Sequence, residues 1–91
     1  MYTLSAQLVF YIPHSTSLKD KRRIRKSLVD KTRHKFNVSI AEVGTLDMYQ
    51  TLTIGIAIVS GEYSHGDKVL HEIIRFVENT VDGELVSVEK E

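Results

Sequence analysis

The sequence predicts an α+β fold of element order β-α-β-β-α-β, a four-stranded antiparallel sheet with two helices on one face. Three observations predict it. Residues 2–12 and 51–59 alternate apolar with polar or small side chains, the two-residue period of half-buried strands. Two longer stretches, one reaching about Lys35 and one from about His65 to Thr80, space their apolar residues as helices do, and each opens on Ser-x-x-Asp. Pro13, Gly61 and Gly83 fall between these runs, where the chain has to turn.

In the first strand Tyr2, Leu4, Ala6, Leu8, Phe10 and Ile12 share one face, and Thr3, Ser5, Gln7, Val9 and Tyr11 the other. Pro13 ends it, since proline has no N–H to give to a ladder. After a turn at 14–17, Ser17 stands three residues before Asp20 and starts the first helix. Asn37 interrupts the chain, 38–43 read as the second strand, and 45–49 lead to the third. That strand presents Leu52, Ile54, Ile56 and Ile58 on one face. Ser64 and Asp67 repeat the capping pattern ahead of the second helix, and a short last strand follows Gly83 at about 84–89. Right-handed crossovers put both helices on the same side, the ferredoxin-like split βαβ arrangement. The first and third strands have the longest apolar faces and belong in the centre, with the second and fourth at the edges. No linker or repeat divides the 91 residues, so 1–91 read as a single domain.

Composition narrows the function classes. Hydrophobic residues make up 42% and charged residues 26%, the balance of a soluble globular chain. There is no cysteine, which excludes disulfides, thiolate metal sites and cysteine nucleophiles. The apolar N-terminal run lacks a positive leader and a small-residue cleavage site, and no run approaches membrane-spanning length. The expectation is a cytoplasmic protein with no membrane partner. So small a core is marginal on area grounds, and a homo-oligomer, dimer or larger, is expected.

A net charge of zero conceals a division. Residues 1–35 hold nine Lys/Arg against two Asp/Glu, giving +7; residues 36–91 hold three against ten, giving −7. Such asymmetry suits an anion-binding surface or association between oppositely charged faces. Six of the basic side chains fall within residues 17–26, S-L-K-D-K-R-R-I-R-K.

At about 100° per residue, Leu18, Ile24, Leu28, Val29 and Phe36 define the buried side of the first helix. Lys19, Arg22, Arg23, Lys26 and Arg33 form a basic stripe opposite, interrupted only by Asp30. One reading makes the stripe a solvated face. The other makes it a phosphate-backbone contact, in which each neutralised phosphate releases a counterion. Basic side chains near a helix N-terminus oppose the macrodipole, which favours the second. Lys21 and Arg25 fall outside the stripe, within the arc that faces the sheet. Either they snorkel past its edge, or they reach a carboxylate, with Glu42 and Asp47 the nearest by sequence order. A small anion at this N-terminus, held by backbone N–H groups with Ser15, Thr16 and Ser17, is a third use. The second helix, with Val69, Leu70, Ile73, Ile74, Phe76 and Val77 on one arc, needs no function to explain it.

The sheet face away from the helices carries small side chains at its centre, with Tyr11 alone near an end, so stacking of RNA bases there is not expected. Such a face suits another sheet or subunit. His14, His34, His65 and His71 are scattered, without spaced carboxylate partners, and no metal, cofactor or catalytic constellation is expected.

The run S-L-K-D-K-R-R-I-R-K-S-L, then F-N-V-S-I-A-E-V-G and D-M-Y-Q, resembles the bacterial YlxP-like proteins, a family catalogued as a domain of unknown function. The resemblance continues through I-G-I-A-I-V-S and R-F-V-E and covers nearly the whole chain. It implies a ferredoxin-like fold. Members encoded beside translation-initiation and ribosome-maturation factors in some bacteria imply a ribosome or RNA connection. By motif it directs attention to Ser17, Lys19, Lys21 and Arg22, and to Asn37, Glu42, Asp47 and Gln50. Many relatives have Trp-Gln-Arg where this chain has Tyr49, Gln50 and Thr51, so a role needing that tryptophan or arginine does not carry over.

Two functions are therefore expected of this sequence. The first is a non-enzymatic RNA- or ribosome-associated protein contacting phosphates through Lys19, Arg22, Arg23, Lys26 and Arg33. The alternative is a homo-oligomeric protein- or ligand-interaction module without nucleic-acid binding. Ser17, Lys21, Arg25, Glu42 and Asp47 are assigned to an anion site or a structural network.

Overall fold

The computed structural model describes all residues, Met1–Glu91. Six elements follow in order: β1 (Tyr2–Tyr11), α1 (Leu18–Lys35), β2 (Ser39–Gly44), β3 (Thr51–Ser60), α2 (Tyr63–Thr80) and β4 (Glu84–Lys90). The strands form one antiparallel sheet of order β2-β3-β1-β4. The two longest apolar strands are central, as their composition requires, and β2 and β4 are the edges.

Register decides which residues meet the helices. Leu4, Ala6, Leu8 and Phe10 stand opposite Ile58, Ile56, Ile54 and Leu52, and all eight are buried. From above, α1 contributes Leu28, and α2 contributes Leu70, Ile73 and Val77. Full burial of a side chain of this size contributes about 1.5–3 kcal/mol, so this single layer between sheet and helices is the main source of stability. Both edge pairings are irregular. β2 shifts register against β3 between Glu42 and Gly44, and β4 shifts against β1 between Val9 and Phe10. Bulges of this kind twist an edge away from further strand pairing.

The start of α1 is set locally. Ser17 accepts a hydrogen bond from the Asp20 N–H at 3.0 Å, while Asp20 accepts from the Thr16 N–H and hydroxyl at 3.1 and 3.2 Å. This reciprocal cap places the protein's own carboxylate among the donors where a small anion was considered.

Two expectations for the helices are corrected. Ser64 does not cap α2, which begins two residues earlier than its position suggests. The N-cap is Glu62, without a side-chain cap bond, and Ser60 organises the entry by accepting from the Glu62 N–H at 3.2 Å. Ser64 lies inside the first turn and donates to Glu62 Oε1 at 2.7 Å. Leu18 is 38% exposed, because the buried arc of α1 is centred on Lys21, Leu28 and Thr32. Leu18 projects roughly 60° from that centre at 100° per residue.

Candidate functional site

The buried arc of α1 contains a charge. Lys21 is 1% exposed, and its ammonium donates to the Thr45 carbonyl at 2.7 Å and the Thr51 carbonyl at 3.1 Å. Glu42 Oε2 lies 2.8 Å from the same nitrogen. That carboxylate oxygen is outside good hydrogen-bond alignment and has no other donor, so its tie to Lys21 is chiefly Coulombic. Arg25, half-buried, approaches Glu42 Oε1 at 3.5 Å. Two carbonyls take hydrogen bonds from the ammonium and Glu42 neutralises its charge, so the buried site is filled by the protein's own groups. Glu42 is the carboxylate that both cations reach. Asp47 lies exposed in the β2–β3 loop and pairs with neither.

The Lys21 ammonium therefore ties the start of α1 to both ends of the loop joining β2 and β3. Thr45 needs the tie. Its φ is 52°, a left-handed conformation uncommon for a β-branched residue. Its hydroxyl donates to the Gly44 carbonyl at 2.7 Å and lies 2.8 Å from Thr53 Oγ1. Gln50 holds the other end, donating through Nε2 to the Pro13 and Ser15 carbonyls at 3.2 and 3.3 Å. Ser15 is fully buried beneath this bridge. Between these anchors Leu46, Met48 and Tyr49 are 63%, 50% and 46% exposed. A fixed loop thus presents apolar side chains to solvent.

The outward side of α1 has different chemistry. Lys19, Arg22 and Lys26 are exposed and take part in no ion pair, and Arg23 makes one long contact with Asp20 at 3.6 Å. Arg33 turns from the stripe toward the sheet edge, where Nη2 lies 3.4 Å from the Ile40 carbonyl of β2. The structure therefore groups Lys19, Arg22, Arg23 and Lys26 on one solvent face, and Lys21, Arg25 and Glu42 in a buried cluster. Ser17 serves the cap, and Asn37 is exposed in the turn before β2. No three His, Asp or Glu side chains are placed to hold a metal ion, and no helix is long and apolar enough to cross a membrane.

Sequence reasoning missed the parts that depend on backbone: the two carbonyls on Lys21, the left-handed Thr45 and the Gln50 bridge. A signal existed for Lys21, a cation in the middle of an apolar arc. None existed for Thr45.

Fold and cluster together define a small ferredoxin-like α+β protein with a basic first helix locked to the β2–β3 loop. The chain belongs to the family described as Protein of unknown function (DUF503), whose model matches residues 3–90. Over 63 residues it is 38% identical to the Uncharacterized protein YlxP of Bacillus subtilis (strain 168), covering 69% of this chain and 68% of that relative. Among solved structures it is similar to a de novo designed protein with ferredoxin fold, LFR1, determined by solution NMR. The TM-score is 0.60 at 16% identity, over 100% of this chain and 88% of the designed one, a likeness of fold alone.

Proposed function

We propose that this protein is a non-enzymatic RNA-binding protein, of the kind that associates with ribosomal RNA, and that α1 is its phosphate-contacting surface. One observation carries the reading. Lys19, Arg22 and Lys26 are exposed on one side of α1 with no ion-pair partner, while Lys21 and Arg25 both lie against Glu42. A solvated face that served solubility alone would be interleaved with acids, as the exposed side of α2 is with Glu72, Arg75 and Glu78. Unpaired cations at helical spacing match a phosphate backbone, and the counterions they displace from it supply the affinity as entropy.

The test is filter binding of ribosomal RNA across a salt series. Wild-type protein is expected to retain RNA at low salt and release it steeply as salt rises. Replacing Lys19, Arg22, Arg23 and Lys26 by Ala removes four contacts and is expected to lower the log–log salt slope by roughly 3. Absence of retention at low salt, or an unchanged slope in the variant, overturns the reading.

A second reading has its own observation, the apolar end of the molecule. Tyr11, Val43, Leu46, Met48 and Tyr49 are each at least 43% exposed, and the sheet face beside them carries no Lys or Arg. Grouped apolar exposure marks an interface, and the centre of that face is uncharged, its acids Glu84 and Glu89 lying on the β4 edge beside Tyr11 and Gln7. Sedimentation equilibrium of the Leu46→Asp/Met48→Asp variant is expected to give monomer where wild type gives dimer. A wild-type mass of 10.4 kDa at high protein concentration removes the oligomer.

A further inference from the structure

The C-terminal halves of α1 and α2 flank an open, shallow groove of ≈ 770 Å³ that neither reading above employs. Its volume falls in the range of small-ligand pockets, about 300–1,000 Å³. Lys31, His34 and Lys35 line it from α1 together with Asp30, and Phe76 and Asn79 line it from α2. Phe76 is only half-buried, and its ring is held edge-on by Phe36, with centroids 5.6 Å apart and planes at 73°. The Lys35 ammonium sits over the Phe76 ring, 4.9 Å from its centroid. That face of the ring is covered by a mobile surface side chain and not by packed core.

We propose that this groove takes an unpaired nucleotide, its base stacked on Phe76 and its phosphate held by Lys31, His34 and Lys35. The chemistry selects this class of ligand. A flat aromatic floor offers stacking to any base, because every base has a π-face. Two lysines against a single Asp30 give the rim a positive balance. Asn79 supplies an amide that can both donate to and accept from a base edge. A stacked base covers more of the ring than a solvated ammonium does, so Lys35 is displaced from Phe76 toward the phosphate. The groove adjoins the stripe along α1: Lys26 and Asp30 are one turn apart, and Asp30 and His34 another. For an RNA ligand this proposal rests on the reading of α1 as a phosphate surface. It adds that single-stranded RNA is preferred over duplex, whose bases are already stacked on one another.

The experiment is an NMR titration of isotope-labelled protein with an adenine-rich single strand, with a duplex of equal length, and with adenosine monophosphate. Wild type is expected to bind the single strand about tenfold more tightly than the duplex, with the largest shifts at residues 31–35 and 76–80. Phe76→Leu keeps an apolar side chain beneath the groove and removes the ring face. Its single-strand preference is expected to disappear, and Asn79→Ala to reduce it, while the dispersed spectrum shows that both remain folded. The stripe variant is expected to weaken single strand and duplex alike and to keep the preference. If a folded Phe76→Leu retains the preference, or wild-type shifts cluster on the open sheet face, the proposal is overturned. If no RNA binds, the phosphate-surface reading fails by itself, and adenosine monophosphate decides the groove. Shifts at 31–35 and 76–80 sustain it as a free-nucleotide site, and unmoved resonances there remove it.

Discussion

Lys21→Ala is expected to lower the free energy of unfolding by about 3–5 kcal/mol, the loss found when one member of a buried ion pair is removed. The side chain is 1% exposed and Glu42 is almost as deeply buried, so solvent does not screen the loss. Without the ammonium, Glu42 retains only Arg25, at 3.5 Å and partly in solvent. The Thr45 carbonyl loses its 2.7 Å donor and keeps the Met48 N–H at 3.0 Å, while Thr51 keeps only a 3.3 Å approach from the Thr45 hydroxyl, which lies closer to the Gly44 carbonyl at 2.7 Å. An acceptor left short of a donor, as the Thr51 carbonyl is, adds about 1–3 kcal/mol where it stays buried. Relaxation of the loop toward water offsets part of that, so the total stays within the stated range. For a domain of this size the fall in Tm is roughly 15 °C or more.

The double variant Lys21→Met/Glu42→Met separates charge from packing. Removing both ions relieves the uncompensated carboxylate, and the pair is expected to be more stable than Lys21→Ala alone. Urea unfolding reads both. A single variant within about 1 kcal/mol of wild type shows that the cluster contributes no net stability, and a double variant worse than either single shows that the carbonyl bonds dominate. Lost loop order has a separate signature. The resonances of residues 45–50 broaden or move in Lys21→Ala even far below its unfolding midpoint, because the ammonium is what joins the loop's two ends to α1.

The fold was legible because its information is periodic. Alternation in β1 and β3 specifies which side chains face the helices, and the apolar length of those strands makes them central. The α1 cap was legible because Ser17 and Asp20 act within one turn, where spacing fixes distance. The same motif at Ser64 misled, since Ser60 lies just upstream and reaches the chain first. For the candidate site, direction was legible and contact was not. The helical wheel turns Lys21 and Arg25 inward and Lys19, Arg22 and Lys26 outward. It does not distinguish Glu42 from Asp47, because that choice depends on which face of β2 the bulge leaves toward the helices. The carbonyls of Thr45 and Thr51 were beyond reach, since every residue has a carbonyl and only its three-dimensional placement makes it a ligand. The groove beside Phe76 was hidden for a related reason: its lining comes from two helices 41 positions apart at Lys35 and Phe76, and each looks ordinary alone.

Gly83→Ala is expected to destabilise by about 2–3 kcal/mol, toward the upper end of the usual overpacking range. A Cβ at Gly83 would lie 2.5 Å from the Tyr11 carbonyl oxygen and 2.9 Å from Ile12 Cγ2. The first obstacle is backbone of the central strand β1, which cannot rotate aside as a side chain can. Relief therefore has to come from the chain entering β4, where Tyr11 stands opposite Glu84 and Phe10 opposite Leu85. Moving that entry loosens the β1–β4 pairing from the end at which it begins. Gly61 provides the internal comparison, since a Cβ there meets nothing within 4 Å and its φ is not positive. Gly61→Ala is expected to be neutral or to stabilise by about 0.4–1 kcal/mol, through a less flexible unfolded chain. Thermal melts of the two variants side by side make the comparison, and amide exchange should show the added opening of Gly83→Ala concentrated in β4. Equal melting temperatures for the two would mean that β4 yields without loss and that close approach at Gly83 does not hold the edge of the sheet in place.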